Sequence, residues 1–179
     1  MINTVDNHYV FIFMGVSGSG KSVVARKIAQ KLNTSFIDGD FLHPRANIIK
    51  MASGQALTDD DRRPWLKSLN DAIFAMQRTQ KISLLVCSAL KKSYRDALRE
   101  GNFNLKFIYL QGDIATIEAR VKQRQGHFFR PELLKTQFDS LQSPTLDEND
   151  VFPVDITPPL SIVIQQSLAT IEHCLASET

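Results

Sequence analysis

Residues 9–14, Tyr-Val-Phe-Ile-Phe-Met, form an unbroken apolar run that stops at Gly15. Continuous hydrophobicity rich in β-branched and aromatic residues marks a strand of a parallel sheet, covered on both faces. Residues 21–32 then carry Val23, Val24, Ile28, Ala29 and Leu32 at helical spacing with charges between them, the pattern of an amphipathic helix. Residues 35–38 predict a short second strand, and 84–87 and 107–110 two more. A fifth, 151–155, is weakened by Pro153, because proline cannot donate to a ladder. Helical stretches fall between and after them, at 64–78, 91–99, 114–124, 131–141 and 160–175. Strands alternating with helices predict an α/β fold: a parallel five-stranded sheet with helices on both faces, in three layers. No internal repeat, low-complexity tract or long linker divides the chain, so residues 1–179 are expected to form one domain.

Composition narrows the function classes. The 179 residues are 43% hydrophobic and 22% charged, ordinary values for a globular domain. Lys and Arg number 21 against 19 Asp and Glu, a net charge of +2, too mild to argue for nucleic acid or a membrane surface as partner. No apolar run approaches the roughly 20 residues of a membrane helix. The polar N-terminus lacks the basic start of a signal peptide. Cys87 and Cys174 form neither a disulfide framework nor a metal-ligand spacing. A soluble protein of a reducing compartment is expected.

The strongest chemical signal is Gly15-Val16-Ser17-Gly18-Ser19-Gly20-Lys21-Ser22, a full match to G-x-x-x-x-G-K-[ST] with a strand before it and a helix after it. The glycines allow a turn in which successive backbone N–H groups point at phosphate oxygens. The following helix adds the positive end of its dipole. Lys21 reaches β- and γ-phosphates, and the Ser22 hydroxyl suits the Mg²⁺ that bridges them. A nucleoside triphosphate site follows.

The strand at 84–87 runs into Ser88-Ala-Leu-Lys91 with no carboxylate, unlike motor-type ATPases, and the switch motifs D-x-x-G and N-K-x-D are absent. Carboxylates stand instead at Asp38-Gly-Asp40. Ligands gather beyond the carboxyl ends of the strands in such sheets, and alternation along extended chain would point Asp38 and Asp40 the same way. One carboxylate can then serve Mg²⁺ while the other accepts a proton from an attacking hydroxyl. A solvated Asp-Gly-Asp turn is the plain alternative. Arg120 and Arg124 share a helical face and lead into Gln125-Gly-His-Phe-Phe-Arg130, a lid of about residues 124–140 able to bring Arg to the transferring phosphoryl group. Lys91 begins a basic cluster with Lys92, Arg95 and Arg99 and is the member nearest a strand end. Asp59-Asp-Asp61 reads as helix-start acids rather than a metal site, and Trp65 and Cys87 as core.

Gly15–Ser22, Asp38-Gly-Asp-Phe-Leu-His-Pro44, Lys50-Met-Ala-Ser-Gly54, Leu57-Thr-Asp-Asp-Asp-Arg62, Pro64-Trp-Leu66, Cys87-Ser-Ala-Leu-Lys91, Tyr94-Arg-Asp96 and Gly126-His-Phe-Phe129 together resemble the small P-loop gluconokinases of bacteria. The blocks span residues 9–144. Ala56 stands where that family often has Pro, and Gln142 where it has Glu. The resemblance implies the P-loop NTPase fold of nucleoside-monophosphate kinases, with a mobile lid, and ATP-dependent phosphorylation of D-gluconate at its 6-hydroxyl. It also implies Mg²⁺, a cytoplasmic location and a homodimer. By that analogy Asp38 and Ser22 serve the metal. Lys21, Asp40 and Arg124 are catalytic, and the loop with Arg120 and Arg124 binds ATP. Asp40, His43, Lys91, Arg95 and Arg130 form the substrate set. Two other readings stay open: a kinase for another small hydroxylated anion, and an ATP-binding sensor without catalysis.

Overall fold

The computed structural model describes residues 7–123 and 131–177. Its five strands are β1 (Tyr9–Met14), β2 (Ser35–Asp38), β3 (Ile82–Val86), β4 (Leu105–Gln111) and β5 (Val151–Asp155). All pairings are parallel, in the order β2-β3-β1-β4-β5. The helices among the described residues are α1 (Lys21–Leu32), α2 (Arg45–Ala52), α3 (Asp59–Met76), α4 (Lys92–Arg99), α5 (Ile114–Lys122), α6 (Pro131–Ser140) and α7 (Leu160–Ala176). A 3-10 turn at Gly39–Leu42 follows β2 directly. Within the described residues no helix is long and apolar enough to cross a membrane.

Strand β1 explains the layers. Its residues are all buried, and consecutive side chains enter opposite cores, as the two-residue period of a strand requires. Tyr9, Phe11 and Phe13 meet Val24, Ala25 and Ile28 of α1 and Val163, Ile171 and Cys174 of α7. Val10, Ile12 and Met14 meet Trp65, Leu69 and Ile73 of α3 and Tyr94 and Leu98 of α4. Each such side chain contributes about 1.5–3 kcal/mol when fully buried, so the central strand is fixed from both sides. Pro153 sits in edge strand β5, opposite Tyr109 of β4, a place where a missing N–H costs no ladder bond on the open side.

Helix α3 starts earlier than the sequence pattern predicts. Thr58 caps it, its side chain accepting from Asp61 N while the Asp61 carboxylate accepts from Thr58 N. The acids Asp59, Asp60 and Asp61 therefore fill the first turn, where they match the helix dipole. Pro64 lies inside the helix rather than in its first turn. Helix α2 and the 3-10 turn are elements that apolar periodicity does not reveal, because most of their residues are exposed or half-buried.

A buried ion pair ties the second core to the chain after α6. Arg95 of α4 is fully buried and holds Glu148 through two bonds, Nε to Oε2 and Nη2 to Oε1, both 2.7 Å. Its remaining donors go to the carbonyls of Ala89 (3.0 Å), Leu90 (3.3 Å) and Gln142 (3.1 Å). Arg99 adds a bond from Nη2 to Glu148 and a bidentate pair with Asp150. Hydrogen bonding from Arg95, then from Arg99, outweighs burial and holds the Glu148 carboxyl down at about 2. Its ordinary value is 4.5, so the stability it confers is present above that pH and is lost as pH falls toward 2. Arg95→Met should cost about 3–5 kcal/mol in urea unfolding at neutral pH, since it strands a buried carboxylate. The stability gap between wild type and Glu148→Gln should narrow as pH falls from 4.5 toward about 2, and a gap independent of pH would contradict the pairing.

Candidate active site

The site lies where the carboxyl ends of β1, β2 and β3 meet. The Gly15–Ser22 loop leaves β1 at Gly15, whose φ is 142°. A Cβ there would stand 2.8 Å from Leu110 O, so only glycine lets the chain leave the strand so close to its neighbour. Gly15 N donates to Ser88 O at 3.2 Å, fixing the loop to the end of β3. Helix α1 opens at Gly20 with no side-chain cap and no acid in its first turn. Its first N–H groups are thus left to an anion, which is the fit a triphosphate needs. Ser19 is buried, and among the described residues its hydroxyl has no partner.

Lys21 Nζ donates to Val16 O at 2.9 Å, so the lysine folds back over its own loop. Burial lowers its pKa, against the opposing fields of Asp40, Cys87 and Asp38. Ser22 Oγ donates to Asp38 Oδ2 at 2.8 Å, linking the first turn of α1 to the end of β2. No group of three or more His, Cys, Asp or Glu able to hold a metal occurs among the described residues. Two hard oxygens beside a phosphate loop still suit Mg²⁺, which is usually bound by one or two protein oxygens with phosphates and water.

Asp38 and Asp40 come together by a different route from the one the sequence suggests. Asp40 is not on extended chain; it lies in the 3-10 turn that Asp38 caps, Asp38 Oδ1 accepting from Asp40 N at 3.1 Å. The turn forms because Gly39 is pressed on β3: a Cβ there would meet Val86 O at 2.4 Å and Leu69 Cδ2 at 3.0 Å. Trp65 Nε1 donates to Gly39 O at 2.9 Å and holds it from α3. The Asp40 side chain opens to the cleft, yet the surrounding protein raises its pKa, Asp38 raises it further, and Lys21 and His43 oppose. His43 stacks on Trp65 at 4.3 Å between centroids and faces Asn47 Nδ2 at 3.3 Å. Its pKa is lowered, chiefly by burial.

The basic candidates divide. Lys91 donates to both oxygens of Asp59 at 2.8 and 2.9 Å, and Tyr94 Oη donates to the same carboxylate. Lys91 thus reaches the cleft side of α3 already paired. Arg95 corrects an expectation. The family resemblance implies a substrate ligand, but guanidinium has five N–H donors and Arg95 spends all five on Glu148, Ala89, Leu90 and Gln142. It instead braces the Ser88–Lys91 turn, where Ala89 adopts a left-handed φ of 47° that costs about 1–3 kcal/mol. Arg120 lies against Gly20 and donates to Ile156 O and to Pro158 O (2.9 Å), joining α5 to the turn after β5. Arg124 and Arg130, and lid residues 124–130, lie outside the described residues; lid residues 131–140 are helix α6. Cys87 is buried, its thiol pushed up to about 12 by that burial, an inert packing residue.

Sequence reasoning missed Trp65, Asp59 and Gln137 as parts of this region, while Asn47, available by type to a sugar acid, is placed beside His43 by the structure. Trp65 and Asp59 stand in quoted blocks, but nothing in their spacing says which face of α3 meets the 3-10 turn. Gln137 is one polar residue on a helix whose contact with the phosphate loop exists only in three dimensions. Gly39→Ala should destabilise the protein by about 1–3 kcal/mol through forced backbone movement and lower turnover with it. A variant with wild-type unfolding and activity would contradict the contact with Val86.

Comparison with known proteins fits this geometry. A family model described as an AAA domain matches residues 10–144. The chain is 60% identical to the thermoresistant gluconokinase of Escherichia coli (strain K12) over 172 residues, 96% of this chain and 98% of that protein. It is 48% identical to the thermosensitive gluconokinase of the same strain, across 87% of this chain and 83% of that one. The crystal structure of a gluconokinase from Sinorhizobium meliloti 1021 matches with a TM-score of 0.85 at 39% identity, covering 96% of this chain and 95% of that one. A shikimate kinase from Bacteroides thetaiotaomicron shares the fold at 14% identity and a TM-score of 0.58. Identity of that first degree, sustained over nearly the whole of both chains, leaves one assignment: this chain belongs to the gluconokinase family.

Proposed function

We propose that this chain transfers the γ-phosphoryl group of ATP to the 6-hydroxyl of D-gluconate, giving 6-phospho-D-gluconate. The observation that carries the reading is the convergence of Lys21, Ser22, Asp38 and Asp40 beyond β1 and β2, in a chain 60% identical to a gluconokinase. The uncapped start of α1 and the N–H groups of the loop receive the phosphates, and Lys21 turns from Val16 O to neutralise them. Ser22 and Asp38 would hold Mg²⁺, which when bound supplies positive charge to the phosphate oxygens. Asp40, with its pKa raised by burial and by Asp38, orients the acceptor hydroxyl and takes its proton as transfer proceeds. His43, held flat on Trp65, and Lys91 supply a hydrogen bonder and a cation for a polyhydroxy acid. Arg120 belongs to the ATP side. Arg124 is proposed at the transferring phosphoryl group and Arg130 at the substrate, both within a lid of about residues 124–140 whose α6 part is docked on the core through Leu134 and Phe138. Arg95 is removed from the substrate set. A homodimer in the cytoplasm, implied by the family resemblance, belongs to the same proposal, and light scattering tests the assembly.

ADP release with Mg-ATP should depend on D-gluconate and not on shikimate, AMP or D-glucose. Turnover with another acceptor would move the substrate assignment and leave the phosphate site intact. Asp40→Asn should lower kcat by about 10²–10⁴ if proton transfer dominates, with a smaller loss if Asp40 mainly positions the hydroxyl in a loose transition state. Because the Asp40 pKa is raised, kcat/KM should fall on the acid side at a higher pH than an ordinary carboxylate would give. An unchanged kcat and gluconate KM in the Asn variant would exclude both roles.

A further inference from the structure

Helix α6 touches the phosphate loop through one side chain that the mechanism above does not use. Ser17 N donates to Gln137 Oε1 at 2.6 Å, across 120 residues of sequence. The same peptide unit carries Val16 O, the acceptor of Lys21 Nζ at 2.9 Å. A trans peptide points its carbonyl and N–H in opposite directions, and the described chain has no cis bond. Lys21, with Ser19 N at 3.2 Å from the same carbonyl, and Gln137 therefore grip one peptide plane of the loop from opposite sides.

The position of Gln137 does not depend on that bond. Leu134 of α6 is buried, and Phe138 and Leu141 pack against the same core as Phe11 and Val24. Past the helix, Gln142 N donates to Leu90 O at 2.8 Å, and Gln142 Oε1 accepts from Lys92 N at 2.7 Å. Arg95 holds Gln142 O from the buried side. The helix is thus docked by apolar packing at one end and by the Ser88–Lys91 region at the other. Gln137 is presented to Ser17 rather than drawn to it.

The two grips respond differently to a triphosphate. Lys21 is the cation that must reach the phosphates, and its three donors are then divided between them and Val16 O, which Ser19 N also holds at 3.2 Å. Gln137 is neutral, lies on the opposite side of the peptide, and satisfies the N–H without adding negative charge beside the phosphates. We propose that Gln137 is a positioning residue for the nucleotide: it holds the N–H side of the Val16–Ser17 peptide, while Ser19 N holds the carbonyl side, so that the loop keeps its phosphate-binding form when Lys21 turns to the phosphates. An unclamped loop must be ordered at the moment of binding, which lowers affinity without altering any contact to the ligand. The inference rests on the reading of Gly15–Ser22 as the ATP site.

Gln137→Met keeps the length of the side chain and removes the acceptor, and Gln137→Ala removes both. Calorimetric titration with Mg-ATP in the absence of gluconate, steady-state KM for each substrate, and thermal unfolding are to be measured on both variants. The dissociation constant and KM for ATP should rise roughly threefold to tenfold, the effect of one lost hydrogen bond, with gluconate KM and unfolding temperature as in wild type. Wild-type ATP affinity in a folded variant overturns the proposal. A fall in unfolding temperature with equal rises in both KM values also overturns it, in favour of simple packing. If the wild-type protein itself fails to take up Mg-ATP, the phosphate-site reading falls, and the proposal with it.

Discussion

The structure depends on one strand being buried on both faces. β1 lies at the centre of the sheet between β3 and β4, with its side chains sent alternately into two cores. Because α1, α3, α4 and α7 all pack against those cores, the point where β1 ends is among the most rigidly defined in the molecule. Gly15 starts there, and the phosphate loop inherits that rigidity. A loop that must offer several N–H groups to one ligand gains from this, since order present beforehand need not be created on binding.

Around that fixed point, neighbouring strand ends are trimmed to reach it by contacts that owe little to secondary structure. Gly39 lies flat on Val86 O, and the turn it allows brings Asp40 back toward Asp38 and Lys21. Beyond β3, Arg95 spends its whole guanidinium tying the turn that carries Lys91 to Glu148 and Gln142. The two devices differ in cost. The first needs only the absence of a side chain. The second desolvates a charge pair, tolerable because every donor of Arg95 finds an oxygen. Gln142, where the family has Glu, keeps an oxygen for Lys92 N and offers its carbonyl to Arg95, so this departure leaves the brace intact.

Paired charges outside the loop follow one rule: acids meet bases wherever a strand end or helix start would leave either alone. Asp59 holds Lys91 and Tyr94, and Lys50 holds Asp61, whose carboxyl is pushed down to about 2. The cleft is therefore supplied with charges that are held in place before a substrate arrives. Asp40 stands apart, because burial and then Asp38 raise its pKa against the opposing fields of Lys21 and His43.

Five strands, their parallel packing and the phosphate loop are legible in the sequence, since continuous apolar runs and the spacing of Gly15 to Ser22 report local requirements of backbone and burial. Pro153 in an edge strand and the acids at the start of α3 were legible for the same reason. The 3-10 turn, helix α2 and the true surroundings of Asp40 were not. The turn at Gly39 is set by Val86, Leu69 and Trp65, residues 26 to 47 positions away in chain order. Arg95 shows the limit most clearly: a cation after a strand end reads as a ligand until Glu148, 53 residues later, is seen to consume it. Sequence determines which groups exist and which local structure each prefers. Only the tertiary structure decides which groups are spent on one another and which remain for a substrate, because hydrogen-bond partners are chosen by distance in space.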